Sequence, residues 1–297
     1  MKINSPLNKR AILFIINPIS GTGKKKIVEK LIQEELDGTD IDFKIRYTDY
    51  AGHAREIAKE VTDKELYDTV VAVGGDGSVN EVASGLIGSK VKLGVIPTGS
   101  GNGFARHMKI PLNIKEALKT IKKGNAVICD TGKIGGYKFV GVSGVGFDAF
   151  ISKKFDEAST RGFWTYFKLT VKEYRKYQER GYKIRFDGNE MVLKALILSF
   201  CNSNQWGNDF VIAPSAQISD GNLKLVIVRK MPLYAVPFFA LKLWRGKVEK
   251  SKYYKCFKIK EATIKQSEDL IHVDGDPINY GYDFNVEIVP NSLLVLT

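Results

Sequence analysis

Three short apolar runs in the first third of the chain each break off into a glycine-rich loop, and this recurrence narrows the fold more than any other feature. Ile15-Ile16 leads into Asn17-Pro18-Ile19-Ser20-Gly21, Val70–Val73 into Gly74-Gly75-Asp76-Gly77-Ser78-Val79-Asn80, and Gly94–Ile96 into Pro97-Thr98-Gly99-Ser100-Gly101-Asn102. The apolar runs Ala11–Ile16, Asp42–Tyr47, Thr69–Val73 and Lys92–Ile96 read as strands, and they alternate with helical spacing over Lys24–Leu36, Ala54–Val61, Ser78–Leu86 and Ile114–Lys122. Strands this apolar, joined by helices, predict an α/β domain whose parallel sheet is covered on both faces. Ligands of such sheets bind at the carboxyl ends of the strands, which is where the three loops fall.

After Gly124 the texture changes to short alternating strands punctuated by Asp187-Gly188, Asp220-Gly221 and Asp274-Gly275. The expected strands are Val127–Cys129, Lys138–Val142, Lys183–Phe186, Ala195–Cys201, Leu223–Val228, Tyr254–Ile259, Glu261–Gln266 and Asn285–Val289. That pattern predicts an antiparallel β-sandwich. The expected domains are therefore 1–125 and 126–297, with the return of the last strand to the first domain left open. Two basic, aromatic helical stretches interrupt the second half. One carries Phe163, Phe167, Thr170, Tyr174 and Tyr177 among Lys168, Lys172, Arg175 and Lys176; the other covers Leu233–Lys247. Each fits either a helix resting in a bilayer interface or one packing its aromatic stripe on the sandwich.

Glycines let backbone amides approach an anion closely, and a helix start adds unpaired N–H groups, so these loops suit phosphate. A carboxylate among them, Asp76, repels phosphate unless it serves a metal ion or a hydroxyl proton. Thr98, Ser100 and Asn102 offer hydroxyl and amide groups to phosphate or ribose oxygens. The first loop is not a Walker A motif, because its spacing fails and Lys25 stands at the Ser/Thr position. Gly144-Val145-Gly146-Phe147-Asp148-Ala149 matches a dinucleotide fingerprint but lies in the antiparallel half, without the acidic residue expected downstream. Late in the chain, Asp274-Gly275-Asp276 could accept a proton or be an ordinary turn, and Gln217-Ile218-Ser219-Asp220-Gly221-Asn222 could be an oxygen-ligand metal loop or a hairpin. His53, His107 and His272 have no metal spacing and read as surface or packing residues.

A net charge of +12 implies polyanionic partners, but no helix-turn-helix, zinc-finger or RNP pattern points to nucleic acid. Three widely spaced cysteines predict a reducing compartment. No window is apolar over the ~18 residues a membrane span needs, and the apolar run Ala11–Ile16 that follows Met1–Arg10 is short and leads into a Pro/Gly turn without a secretory cleavage pattern, so a secretory signal is not expected. A cytoplasmic protein is expected, with peripheral contact at the inner membrane face.

Taken together, the loops resemble the diacylglycerol kinase catalytic domain family, which includes bacterial lipid kinases and sphingosine kinases. The resemblance spans essentially the whole chain. It implies a Rossmann-like nucleotide domain, a C-terminal β-sandwich and ATP-dependent phosphorylation of a lipid hydroxyl such as that of diacylglycerol or a sphingoid base. By position it implies ATP contacts from Asn17 to Gly21, Thr48, Gly74 to Asn80 and Thr98, continuing through Gly99, Ser100, Gly101 and Asn102. Asp76 would organise Mg²⁺ at the phosphates, and Gln217, Asp220 and Asn222 a structural Mg²⁺. Asp276 stands where the family's proton acceptor, more often Glu, is found, with Asp274 behind it. An NAD kinase, which shares a Gly-Gly-Asp-Gly loop, and a non-catalytic lipid- or nucleotide-binding module are the rival readings. Oligomeric state carries no signal.

Overall fold

The computed structural model describes residues 10–18, 25–160 and 162–297. They form two compact units, the first comprising Met1–Thr98, Ile110–Val127 and Leu293–Thr297, the second Gly99–Lys109 and Ile128–Ser292.

In the first unit the chain alternates β1 (Arg10–Ile16), α1 (Lys25–Leu36), β2 (Ile41–Tyr47), α2 (His53–Lys64), β3 (Thr69–Gly74), α3 (Asp76–Leu86) and β4 (Lys92–Pro97). The strands lie parallel in the order β2-β1-β3-β4. Every residue of β3 is buried, as a central strand between two helical layers must be. Val28, Ile32 and Leu36 of α1 cover one face of the sheet together with α5 (Ile114–Lys123), through its Ala117, Leu118 and Ile121. The side chain of Asn113 caps α5 by accepting from Lys115 N and Glu116 N, and Gly124, with φ +76°, ends it. α2 and α3 pack together closely at Gly85, where a Cβ would stand 2.6 Å from that of Ala58. A short helix, α4 (Gly103–His107), follows β4 and groups with the second unit, whereas the sequence reading counts it with the first.

The second unit contains β5 (Ala126–Ile134, from Ile128 on), β6 (Tyr137–Phe139), β7 (Val142–Gly146), α6 (Phe147–Asp156), α7 (Phe163–Tyr174), β8 (Arg180–Phe186), β9 (Asn189–Ala195) and β10 (Ile197–Cys201). It continues with β11 (Gln205–Gly207), β12 (Phe210–Val211), β13 (Leu223–Val228), a 3-10 turn over Leu233–Ala235, α8 (Val236–Trp244), β14 (Tyr254–Ile259), β15 (Glu261–Gln266), β16 (Leu270–Val273), β17 (Asp276–Asn279) and β18 (Asp283–Leu296). One antiparallel sheet runs β14-β13-β10-β7-β16-β17. A second joins β9, β8 and β15 to residues 283–287 of β18. Phe200, Leu225, Ile271 and Val273 of the first sheet meet Ile184, Ile264, Phe284 and Val286 of the second in a common core. The predicted sandwich is thus present, beside the predicted parallel α/β sheet. Further along β18, Leu294 and Val295 pair parallel with Lys92 and Leu93 of β4, adding a strand to the first unit.

The expected single strand Lys138–Val142 is two strands, because Val140, Gly141 and Val142 turn their amides to the Asp274 carboxylate instead of a ladder. Strands β9, β11, β12, β16 and β17 are additions to the sequence reading.

Candidate active site

In the first unit the carboxyl ends of β1 to β4 are in register, with Ile16 opposite both Tyr47 and Val73 and Gly74 opposite Pro97. Beyond them the backbone stays laced: Asn17 N donates to Val73 O at 3.3 Å, Thr48 N to Ile16 O at 3.1 Å and Thr98 N to Gly74 O at 2.9 Å. The register therefore brings Asn17, Thr48, Gly74 and Thr98 to one sheet edge. Gly75 is an extended N-cap (φ −90°, ψ −169°) without a side chain, so α3 opens on Asp76 with first-turn amides directed toward that edge. The Asn17 amide donates to Ser78 Oγ at 3.4 Å. A cleft of about 240 Å³ is lined by Asn17, Pro18, Thr48, Tyr50, Ser78 and Glu81 among others. Gly77 is half-buried, and Val79 and Asn80 are buried one turn further into α3. Ile19, Ser20 and Gly21 lie outside the described residues.

Glu81 and Tyr50 are among the lining residues that the sequence reading did not assign to the site. Glu81 accepts from Gly52 N at 2.9 Å and Ala54 N at 3.1 Å, fastening the start of α2 beside the cleft. Its signal was the acidic end of the Gly-Gly-Asp-Gly run. Tyr50 stacks on His53 with ring centroids 4.6 Å apart and donates its hydroxyl to Glu56 at 2.6 Å.

The Gly99–Lys109 segment is built tightly against the β11–β12 hairpin of its own unit. Asn102, left-handed at φ +50°, donates from Nδ2 to Gly99 O at 2.8 Å. Asn208 N and Arg106 Nε both donate to Gly101 O at 3.1 Å, and Arg106 pairs with Asp209. A Cβ on Gly103 would stand 3.0 Å from Gly207 N, a tight approach that favours glycine. Ser100 is exposed.

His107, closing α4, is a packing residue whose Nδ1 accepts from Asn204 N at 3.2 Å. Burial pushes its pKa below the usual 6.5, the Asn204 side chain opposing that in part. The folded form therefore binds this proton less readily than the unfolded chain. Stability is complete above pH 6.5 and falls on acidification through the lowered folded pKa. The melting temperature should drop below that pH, and His107→Gln should flatten the drop.

Asp274 and Gly275, with φ +49° and +96°, form the two-residue turn between β16 and β17, closed by the Val273–Asp276 pair. Both central residues are left-handed, as a type I′ hairpin turn requires. The two carboxylates separate sharply. Asp274 accepts from Val140 N at 2.8 Å, Gly141 N at 2.8 Å and Val142 N at 2.9 Å. Asp276 opens β17 and is exposed.

The sequence and its relatives agree with this architecture. Residues 11–134 match the diacylglycerol kinase catalytic domain, and residues 141–297 match the YegS C-terminal NAD kinase beta sandwich-like domain. A Staphylococcus aureus protein named diacylglycerol kinase is 30% identical over 277 residues, spanning 91% of this chain and 87% of its own length. The chain belongs to the diacylglycerol kinase family of lipid kinases. A Yersinia enterocolitica protein named "Probable lipid kinase YegS-like" is 29% identical, over 84% of this chain and 85% of its own. A crystal structure of a diacylglycerol kinase from Bacillus anthracis, 22% identical, shares the fold with a TM-score of 0.75 over 97% of this chain and 96% of that one. Membership of a kinase family implies ATP as co-substrate.

In the kinase, the carboxylate of the loop holding Gln217, Asp220 and Asn222 is engaged by groups of the protein itself. Asp220 Oδ2 faces Lys258 Nζ at 3.3 Å and Oδ1 accepts from Asn222 N at 3.1 Å, while Gln217 is exposed. An ammonium thus stands at the loop's one carboxylate among these three residues. Buried Asp130 holds the loop instead, accepting from Gly221 N at 2.7 Å and Asn291 N at 2.8 Å.

The two basic helices divide their aromatic residues. Tyr174 and Tyr177, at and just beyond the end of α7, and Phe239 and Leu243 on α8 are buried against the sandwich. Trp164, Phe167 and Val171 of α7 stay exposed, as do Tyr234, Phe238, Leu241 and Trp244 in and before α8. The packing reading therefore holds for one face of each helix, and the other face is exposed. No helix among the described residues is long and apolar enough to cross a membrane.

Proposed function

We propose that this kinase transfers the γ-phosphate of ATP to a hydroxyl of a membrane lipid, diacylglycerol or a sphingoid base being the acceptor class. The observation that carries the reading is the convergence of Asn17, Thr48, Gly74 and Thr98 on one sheet edge beside a cleft, in a member of this family. Asn17, Pro18, Thr48 and Ser78 contact the nucleotide, and the amides of Gly75, Gly77 and the first turn of α3 take phosphate oxygens. Ile19, Ser20 and Gly21, and the loop Gly99–Asn102, continue this ATP contact set. Asp76 at the helix start would hold a Mg²⁺ ion there, which would supply positive charge to offset the phosphate oxygens. Asp276 accepts the lipid hydroxyl proton as that oxygen attacks the γ-phosphorus and ADP leaves with the bridging electrons. Asp274 is unsuited to the part, its oxygens being committed to backbone N–H groups.

A kinase with a bilayer substrate must meet the membrane from outside. The exposed aromatics of α7 and α8, beside exposed Lys168, Lys172, Arg175 and Arg245, suit an anionic interface at the cytoplasmic face. Phe238→Ala combined with Trp244→Ala is expected to lower binding to phosphatidylglycerol-containing vesicles by about tenfold or more, since each aromatic is worth roughly 1.5–3 kcal/mol when fully buried. Cosedimentation measures this; binding unchanged by the pair removes α8 from the contact.

The test of function is transfer of labelled γ-phosphate to a panel of lipids in mixed micelles, with NAD included as acceptor and Asp76→Ala as control. A labelled lipid absent from the control supports the reading and names the substrate. Labelled NAD alone moves the activity to a nucleotide kinase, and no product favours a binding module.

A further inference from the structure

A chain of buried polar groups ends at the turn that presents Asp276. Ile271 and Val273 of β16 point into the sandwich core, so His272 between them faces the opposite side, toward α6. There its Nε2 stands 3.1 Å from Oδ2 of Asp148, with the two residues 3% and 8% exposed. The same Oδ2 accepts from Ser199 Oγ at 2.9 Å, and Asp148 Oδ1 accepts from Ala149 N at 2.9 Å in the first turn of α6. On its far side the His272 ring meets Gly275, whose N–H donates to Nδ1 at 3.3 Å.

These contacts fix the ring's tautomer. A carboxylate only accepts, so Nε2 carries a proton toward Asp148; Nδ1 then keeps its lone pair for the Gly275 amide. In a two-residue hairpin that amide lies outside the strand ladder, and here it takes the imidazole as its acceptor. The other turn residue is held separately, through the three amides bonded to the Asp274 carboxylate. Stability alone does not account for the chain, because replacing a buried charged group and its partners by apolar residues of like volume is often neutral or stabilising.

We infer that Asp148 and His272 are positioning residues for phosphoryl transfer: Asp148 sets the His272 tautomer, His272 pins the Gly275 amide, and the pinned turn aims the Asp276 carboxylate. The inference rests on the reading of Asp276 as proton acceptor. Misplacing a reacting group by about 1 Å costs on the order of 10²-fold, and a histidine in the wrong tautomer is a known route to such a loss.

The experiment compares His272→Gln, His272→Asn, Asp148→Asn and Asp276→Asn for kcat, KM for ATP and Gly275 amide hydrogen exchange measured by NMR. Asn can turn its carbonyl oxygen to the Nδ1 position, whereas Gln replaces only the Nε2 end. His272→Gln and Asp148→Asn should therefore lower kcat by about 10- to 100-fold at unchanged KM for ATP and speed Gly275 exchange. His272→Asn should keep kcat within about threefold and leave that amide protected. Should His272→Gln fail to fold, Asp148→Asn supplies the same comparison. Unchanged exchange in both, or faster exchange with kcat held, overturns the inference while Asp276→Asn still loses turnover. Full turnover in Asp276→Asn instead overturns the proton-acceptor reading and the inference with it, and the exchange rates separate that result from the first.

Discussion

Asp276→Asn is expected to lower kcat for lipid phosphorylation by about 10²–10⁴, the scale on which loss of a general base is felt. Nucleotide affinity and thermal stability should stay close to wild type, since Asp276 is exposed and opens a short strand at the sheet's edge. The substitution keeps the shape of the side chain and removes its capacity to take a proton, and an unchanged melting temperature separates the result from a folding defect. Asp276→Glu sharpens the test. It lengthens the reach by one methylene toward the family's commoner residue, and it should retain far more turnover than the amide. Turnover unchanged in Asp276→Asn would take this carboxylate out of the chemistry.

Asp274→Ala should act on stability first. It removes the acceptor for the amides of Val140, Gly141 and Val142, which sit where the chain passes from β6 to β7. Each buried donor left without a partner costs about 1–3 kcal/mol; because water can reach part of this site, a total near 3–5 kcal/mol is expected. A lower urea midpoint with an unchanged m-value would register it. Asp274→Asn, which keeps one accepting oxygen, should fall between the two. If Asp274→Ala instead abolished turnover while leaving the midpoint alone, the roles assigned to the two aspartates would have to be exchanged.

Two positions apart in sequence and identical in chemistry, these two aspartates show where sequence reading stops. Asp274-Gly275 reads as a turn because few other pairs accept two successive positive φ values, and that property is local. Which carboxylate is committed to backbone amides depends on residues more than a hundred positions away, which no spacing along the turn reveals. The same division runs through the molecule. The parallel sheet was legible because strands buried on both faces must be apolar, and the sandwich because half-buried β15 alternates strictly. Strand β9, with its outer residues exposed, lacked that contrast. His272 read as an ordinary packing residue, since its partner Asp148 belongs to a run already set aside as a failed dinucleotide fingerprint. Asp220 shows the same limit: an Asp-Gly-Asn loop has the composition of a cation site, and the lysine at position 258 that faces its carboxylate is not legible along the loop. The aromatic helices carried two readings because a helix has room for two faces.

The pairing of Leu294 and Val295 with β4 bears on how the protein is made. Leu296 lies in the core between the parallel sheet and its helices, and Thr297 N donates to Asn125 O at 3.1 Å. A ribosome therefore delivers the whole sandwich before it delivers the strand that finishes the nucleotide half. Until then β4 presents an open edge to the cell, the kind of surface that invites pairing with foreign strands. The half translated first is thus the last to be completed, and a nascent chain halted shortly before residue 293 should lean on chaperones far more than one released a few codons later.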